Sequence, residues 1–269
     1  MPEISILGCG WLGLPLAKVL IEKGFSVKGS TTSESKLSIL ENAEIKPFLI
    51  SVGTQEISGD INSFLGNSEI LIIDIPPKLK SDPSENFALK IQKLIVEIEK
   101  SSIKKVVFIS STSVYNDTES ISIITEKDIP NPDTESGKQL FEAENLLLSN
   151  SKFDTTIVRF GGLIGEDRHP IKFLSGRKNI ENPDGPINLI HQKDCIGIIS
   201  TILEKGIWNE TFNAAAPSHP TRKDYYTKKA KSLNLDLPSF NSEKKSVGKI
   251  IDSRKLETIL DYKFQIETL

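Results

Sequence analysis

Apolar and polar positions alternate between two periods along the first two thirds of the chain. Ile4-Ser5-Ile6-Leu7 is a short β-branched run that predicts a strand, and Leu14 to Lys23 carries apolar residues at helical spacing (Leu16, Val19, Leu20). Gly24 stands where a helix C-cap belongs, and Phe25-Ser26-Val27 opens a second strand. Thr31 with Glu34 three residues later reads as a capping box for a helix from Thr32 to about Glu41, and a third strand follows near Ile45 to Ile50. Ile70 to Ile75 is the apolar run expected of a parallel strand buried on both faces, ended by Pro76-Pro77. Asp82-Pro83-Ser84-Glu85 combines an N-cap, a proline at N1 and an acid at N3, opening an amphipathic helix to Lys100. Val106 to Ile109 predicts the next strand, Thr134 to Ser149 a helix, and Thr155 to Phe160 another strand.

Strand and helix alternating five or six times define an α/β chain with a doubly wound parallel sheet covered on both faces. Beyond Gly161 the pattern loosens. A strand at Ile187 to Ile190 and a helix from about Lys193 to Glu204, with Asp194 as its cap, follow, and a further strand at Thr211 to Ala214 rejoins the sheet. The tail holds helices near Lys223 to Leu233 and Ser253 to Leu260, with a break at Pro238. The expected division is residues 1–160 plus 187–216 as the sheet domain. Residues 161–186 plus 217–269 form a small C-terminal cap over the carboxyl ends of the strands, where such sheets bind ligands.

Charge changes the picture only by exclusion. The 269 residues carry 33 Lys+Arg against 36 Asp+Glu, formal net −3, which favours neither nucleic acid nor a membrane as partner. Two cysteines, Cys9 and Cys195, rule out a disulfide scaffold and fit a reducing compartment. No run reaches the length of a membrane span and residues 1–10 lack a signal-peptide pattern, so the expected location is the cytoplasm. His169, His191 and His219 are scattered and no cysteine pair has ligand spacing, so no metal site is expected. His191 reads as a structural hydrogen-bonder.

The first predicted strand runs into Gly8-Cys9-Gly10-Trp11-Leu12-Gly13 and then into a helix, the context that a dinucleotide fingerprint requires. In a Rossmann fold Gly8 permits the tight turn, Gly10 lets backbone approach a pyrophosphate, and Gly13 lets helix and strand pack closely. The helix N-terminus then offers free N–H groups and about half a positive charge. The other reading is a tight β–α turn and nothing more. An acid at the end of the second strand would bind a ribose 2′-hydroxyl, and none occurs between Gly24 and Ser33. The hydroxyls of Ser30, Thr31 and Thr32 with the cation of Lys36 suit a 2′-phosphate, which favours NADP over NAD; alternatively they form a plain polar loop. Ser110-Ser111-Thr112-Ser113-Val114-Tyr115 follows a buried strand and reads either as a site facing the nicotinamide or as a capping cluster.

Ile109 to Tyr115 is similar to the SSxxVYG segment of the extended short-chain dehydrogenase/reductases, the NAD-dependent epimerase/dehydratase group. Arg159 to Gly165 resembles that group's R-x-x-G-x-x-G stretch, and Asn188 to Asp194 its N-x-I-H-V-x-D segment. Further features, among them Gly8 to Gly13, Pro76-Pro77 and Arg168-His169-Pro170, look like an atypical branch of NAD(P)-binding proteins. The resemblance implies a serine of the active site at Ser111, and then a tyrosine and, four residues on, a lysine. The family spacing puts Ser136 and Leu140 in those two slots, and sliding the register to Lys138 puts Thr134 in the tyrosine slot, so no Tyr-x-x-x-Lys is present. Ser111 with Tyr115 is the expected replacement, Tyr115 packing against cofactor or substrate being the alternative. Around the cofactor the implied contacts are Gly8, Gly10, Trp11, Leu12, Gly13, Ser30, Thr31, Thr32, Lys36, Ile75, Pro76, Pro77 and Ser110. Arg168, His169 and Asn188 are the expected substrate contacts, an arginine there suiting an anionic group.

Two functions follow. One is an NAD(P)-dependent oxidoreductase or epimerase-like enzyme acting on a small polar substrate. The other is a non-catalytic redox sensor that reads NADP(H), which the missing dyad favours. By analogy with the family, pairing as a homodimer through sheet-flanking helices is expected.

Overall fold

A computed structural model of the chain describes residues 2–77 and 85–267. The order of its main elements is β1 (Glu3–Leu7), α1 (Gly13–Glu22), β2 (Ser26–Thr31), α2 (Leu37–Glu41), β3 (Lys46–Leu49) and β4 (Ile70–Ile73). Then come α3 (Phe87–Lys100), β5 (Lys105–Ser111), α4 (Glu135–Leu148), β6 (Asp154–Phe160), β7 (Gly162–Ile164) and β8 (Leu189–His191). The chain continues through α5 (Gln192–Lys205), β9 (Thr211–Ala214), α6 (Arg222–Ser232) and α7 (Arg254–Leu260). Seven strands pair in the order β9-β6-β5-β4-β1-β2-β3, and every pairing is parallel. That is the Rossmann order 3-2-1-4-5-6 with one strand added beyond β6.

Alternation explains why β4 reads as unbroken apolar sequence. Ile70 and Ile72 point into one core layer with Leu16 and Leu20 of α1 and Ile198 and Ile202 of α5. Leu71 and Ile73 point into the other, with Ile91 and Leu94 of α3 and Leu140 and Leu147 of α4. Each such fully buried Leu or Ile contributes about 1.5–3 kcal/mol of transfer free energy. A third, smaller cluster unites Ile164, Ile171, Leu174, Ile187, Leu189 and the Tyr225–Tyr226 pair of α6. It lies apart from the two sheet layers, largely in the segments expected as the cap.

The ends of elements differ from the sequence reading where tertiary pairing wins. Thr31 does not open a capping box: it is still paired in the sheet with Leu49. Its Oγ accepts from the Ser33 N–H at 3.1 Å, and the helix starts with a single 3-10 turn at Glu34–Lys36. Of the Asp82-Pro83-Ser84-Glu85 signal, residues 82–84 lie outside the described residues; α3 begins at Phe87, capped by Asn86 accepting from Leu89 N–H at 2.9 Å. Asp194 does not cap α5, because His191 does so through Nδ1, accepting from Lys193 N–H at 3.2 Å. The buried Asp194 carboxylate instead straps the tail, accepting from Tyr262 Oη at 2.9 Å and Gln265 N–H at 2.7 Å. The tail departs from the cap expected over 217–269: Leu256, Leu260, Tyr262 and Phe264 share the core layer of α1 and α5.

Candidate dinucleotide cleft

The site lies where the strand order reverses. Leu7 of β1 pairs with Ile73 of β4, so Gly8 and Asp74 leave the sheet side by side at its carboxyl edge. Gly8 has φ +108°, and a Cβ there would lie 2.3 Å from the Asp74 carbonyl oxygen. Its N–H donates to Ser30 Oγ at 2.9 Å, tying the loop to β2. A Cβ on Gly13 would lie 2.2 Å from the Gly8 carbonyl oxygen, so that glycine is demanded by packing at the start of α1. Gly10 is the contrast: a Cβ there would meet nothing within 4 Å. Two glycines are fixed by contacts inside the fold and the third faces open space at a helix N-terminus, the arrangement that fits a pyrophosphate.

Trp11 leaves that space open. Its indole N–H donates to Asp167 Oδ1 at 2.8 Å, its ring packs against Gly165, and Arg168 stacks over it at 5.0 Å. The loop after β7 thereby holds the indole to one side.

Two cavities flank the turn and share Gly10, Asp74, Ile75 and Pro76. The first, about 210 Å³, is walled by Gly8, Ser30, Thr31, Thr32 and Lys36, with Ser51, Val52, Phe87 and Lys90 opposite. No carboxylate ends β2. Thr32 and Lys36 are exposed, whereas the hydroxyls of Ser30 and Thr31 already accept backbone N–H groups. The second, about 480 Å³, is walled by Trp11, Leu12, Pro77, Ser110, Ser111, Leu140, Gly161, Gly162 and Arg168. Every sequence-derived cofactor position therefore borders one cleft or, for Gly13, the turn beneath it.

Among the expected catalytic and substrate residues the outcome is divided. Ser111 lines the cleft and its Oγ accepts from Ser113 N–H at 3.1 Å, which leaves its proton free to donate. Arg168 lines the cleft as well. Tyr115 does not. It is 2 % exposed, its hydroxyl receives a hydrogen bond from Arg159 Nη1 and donates to Asn213 Oδ1 at 3.3 Å. Burial pushes its pKa up, with Arg159 opposing, so geometry and proton affinity both argue against Tyr115 as the acid. His169 is buried too: Nδ1 accepts from Ile171 N–H at 3.1 Å and Nε2 meets Tyr225 Oη at 2.7 Å, so it fastens the cap instead of facing substrate. Asn188 spends its amide on the segment beside it, donating to Lys249 O and accepting from Ile251 N–H, both at 2.8 Å.

Behind the cleft lies a buried polar network. Arg159 grips Glu144 through Nε and Nη2, with Nη2 to Oε2 at 2.6 Å, and Glu144 also accepts from Ser110 Oγ at 2.5 Å. This network draws Tyr115 inward. Leu140, one turn before Glu144 on α4, presents a methyl-bearing wall to the cleft.

Asp74 was not singled out from the sequence, although a charge inside a buried apolar run was the available signal. It borders both cavities, and its carboxyl lies 3.1 Å from where a Gly13 Cβ would stand. Burial raises its pKa to about 7, with the Gly13 N–H opposing. It is the only carboxyl lining the larger cavity among the described residues, and Arg168 is the only cation. No three His, Cys, Asp or Glu side chains among the described residues come together in a way that could hold a metal ion.

The geometry defines a nucleotide-binding Rossmann protein, and the chain belongs to the NAD(P)H-binding family, whose model matches residues 8–188. It is 33 % identical to protein YeeZ of Escherichia coli strain K12 over 269 residues, covering 98 % of this chain and 96 % of that protein. Its fold is similar to a functionally unknown conserved protein from Silicibacter pomeroyi (TM-score 0.81, 17 % identity, 100 % of this chain and 95 % of that one). It is likewise similar to UDP-glucuronic acid 4-epimerase from Bacillus cereus in complex with NAD (TM-score 0.80, 18 % identity, 98 % and 92 %). The resemblance to short-chain dehydrogenase/reductases of the epimerase/dehydratase group thus holds at the level of fold and cofactor class. No helix of the described residues is long and apolar enough to cross a membrane.

Proposed function

We propose that the chain is an NADP(H)-dependent oxidoreductase or epimerase-like enzyme acting on a small polar substrate. The observation that carries this reading is Gly10, whose backbone faces open space between two cavities at the head of α1. Gly8, Gly10 and the α1 N-terminus would hold the pyrophosphate, and Thr32 and Lys36 a 2′-phosphate. A bound nicotinamide supplies hydride chemistry in the larger cavity. There Ser111 orients the reacting oxygen of the substrate by donating its free proton, and Arg168 offers a cation to an anionic substituent. Leu140 and the walls of Gly161 and Gly162 exclude water from one side. Without a tyrosine–lysine pair in that cavity the rate is lower by the factor of about 10²–10⁴ that a positioned acid or base typically contributes.

The same missing pair supports a second reading, a sensor that binds NADP(H) without turnover. The two separate on one experiment. An enzyme oxidises NADPH in the presence of some member of a panel of small carbonyl compounds, and Ser111→Ala lowers that rate while leaving NADPH affinity unchanged. A sensor shows no turnover across the panel and instead differs in oligomeric state between NADP and NADPH.

A further inference from the structure

A third cavity, about 210 Å³, opens in the cap beyond the Ser111 wall of the cleft. Thr112, the residue after Ser111, lines it, and so does Leu189, the sheet partner of the cleft residue Gly162. Two cations face it. Arg222 is held from both ends: its backbone N–H donates to Gly185 O at 2.9 Å and its guanidinium stacks on Tyr226 at 5.9 Å. Yet among the described residues the guanidinium makes no ion pair or hydrogen bond, and its Nε is buried with no acceptor. A buried guanidinium N–H without an acceptor costs desolvation that the fold does not recover. Lys249 is 12 % exposed in its side chain and uses two of its three donors, on Tyr115 O at 2.8 Å and Asp117 Oδ1 at 2.9 Å. Among the described residues Asp117 is the only carboxylate in this lining, and Lys249 already neutralises it, so the cavity keeps the positive charge of Arg222. Arg177 and Lys178, with Glu181 as the one carboxylate among the described residues there, line a neighbouring cavity that also touches Arg222, so the surroundings stay net positive. The N-terminus of α6 is not the donor here, since Thr221 Oγ already accepts from Asp224 N–H at 3.1 Å.

We propose that this cavity is an anion site for a phosphoryl group, with Arg222 and Lys249 as its ligands, and that the substrate reaches from it to Ser111. A phosphate monoester presents three acceptor oxygens and up to two charges, enough for the free edge of the guanidinium and the remaining ammonium donor together. A carboxylate offers one oxygen fewer and a single charge. That the phosphorylated ligand is the substrate rests on the function proposed above; the site itself does not.

The test reads the arginine Nε–H resonances of the ¹⁵N-labelled full chain during titration with inorganic phosphate, and separately with acetate, at constant ionic strength. The Arg222 resonance, identified by its loss in Arg222→Lys, is expected to shift saturably with phosphate in the millimolar range and not with acetate. A phosphorus NMR titration should show Arg222→Lys and Lys249→Gln weakening binding about tenfold, the loss of one charge-assisted hydrogen bond, while NADH affinity stays within about twofold. No saturable shift in the unaltered chain, an equal response to acetate, or unchanged binding in folded Arg222→Lys overturns the site. An Arg222 response in a chain that fails to bind NADH supports the site and removes the enzyme reading. NADH binding without that response overturns the site alone.

Discussion

Asp74→Asn removes the carboxyl that borders both cavities beside the phosphate turn. With a pKa of about 7 the free chain carries Asp74 half protonated at neutrality. A pyrophosphate seated at Gly10, which lines both cavities together with Asp74, brings negative charge beside that carboxyl; two unit charges about 5 Å apart at an effective dielectric of about 20 repel by roughly 3 kcal/mol. That is about two pKa units, so the carboxyl of the complex titrates near pH 9. Binding therefore takes up a proton between roughly pH 7 and 9. The sign follows: affinity is flat below pH 7, where the acid is already neutral, and falls about tenfold per pH unit above it, roughly 100-fold in all. NADH is the suitable probe because its phosphodiester charges do not titrate in this window. Fluorescence titration of NADH from pH 6 to 9 measures the slope, and calorimetry in buffers of different ionisation enthalpy counts the proton. Asp74→Asn should flatten the profile and bind NADH more tightly than the unaltered chain at pH 9. Equal slopes in the two proteins, or no proton uptake at pH 8, would refute the argument.

The other predictions concern the turn and the network behind it. Gly10→Ala should leave thermal stability unchanged, since its methyl meets nothing, yet weaken NADH binding by filling the pyrophosphate seat. Gly13→Ala should lower the melting temperature, because its methyl collides with the Gly8 carbonyl at 2.2 Å. Glu144→Gln leaves the buried Arg159 without its counter-charge and should cost about 3–5 kcal/mol by denaturant unfolding, a penalty that an exposed ion pair would not show.

What the sequence made legible was governed by local rules. The three glycines, the apolar run of β4 and the hydroxyl-rich end of β2 are each readable from a pattern a few residues long, even where, as at Gly8, the contact that demands the residue comes from the neighbouring strand. Tyr115 was misread because its fate is set at long range: Arg159, 44 residues on, captures its hydroxyl. His169 was misread for the same reason, its partner Tyr225 lying 56 residues away. Asp194 has the position of a helix cap, and only the returning tail reveals the backbone N–H groups it serves. The missing acceptor of Arg222 is likewise a long-range property, visible only once the chain is folded.

The account stands on a nicotinamide dinucleotide binding at the Gly8–Gly13 turn, and equilibrium titration of the purified chain with NADPH and NADH tests it most directly. Saturable binding of both, tighter for NADPH and reduced in Gly10→Ala, is the predicted result. Failure of either nucleotide to bind at millimolar concentration, or binding that Gly10→Ala leaves untouched, would contradict it.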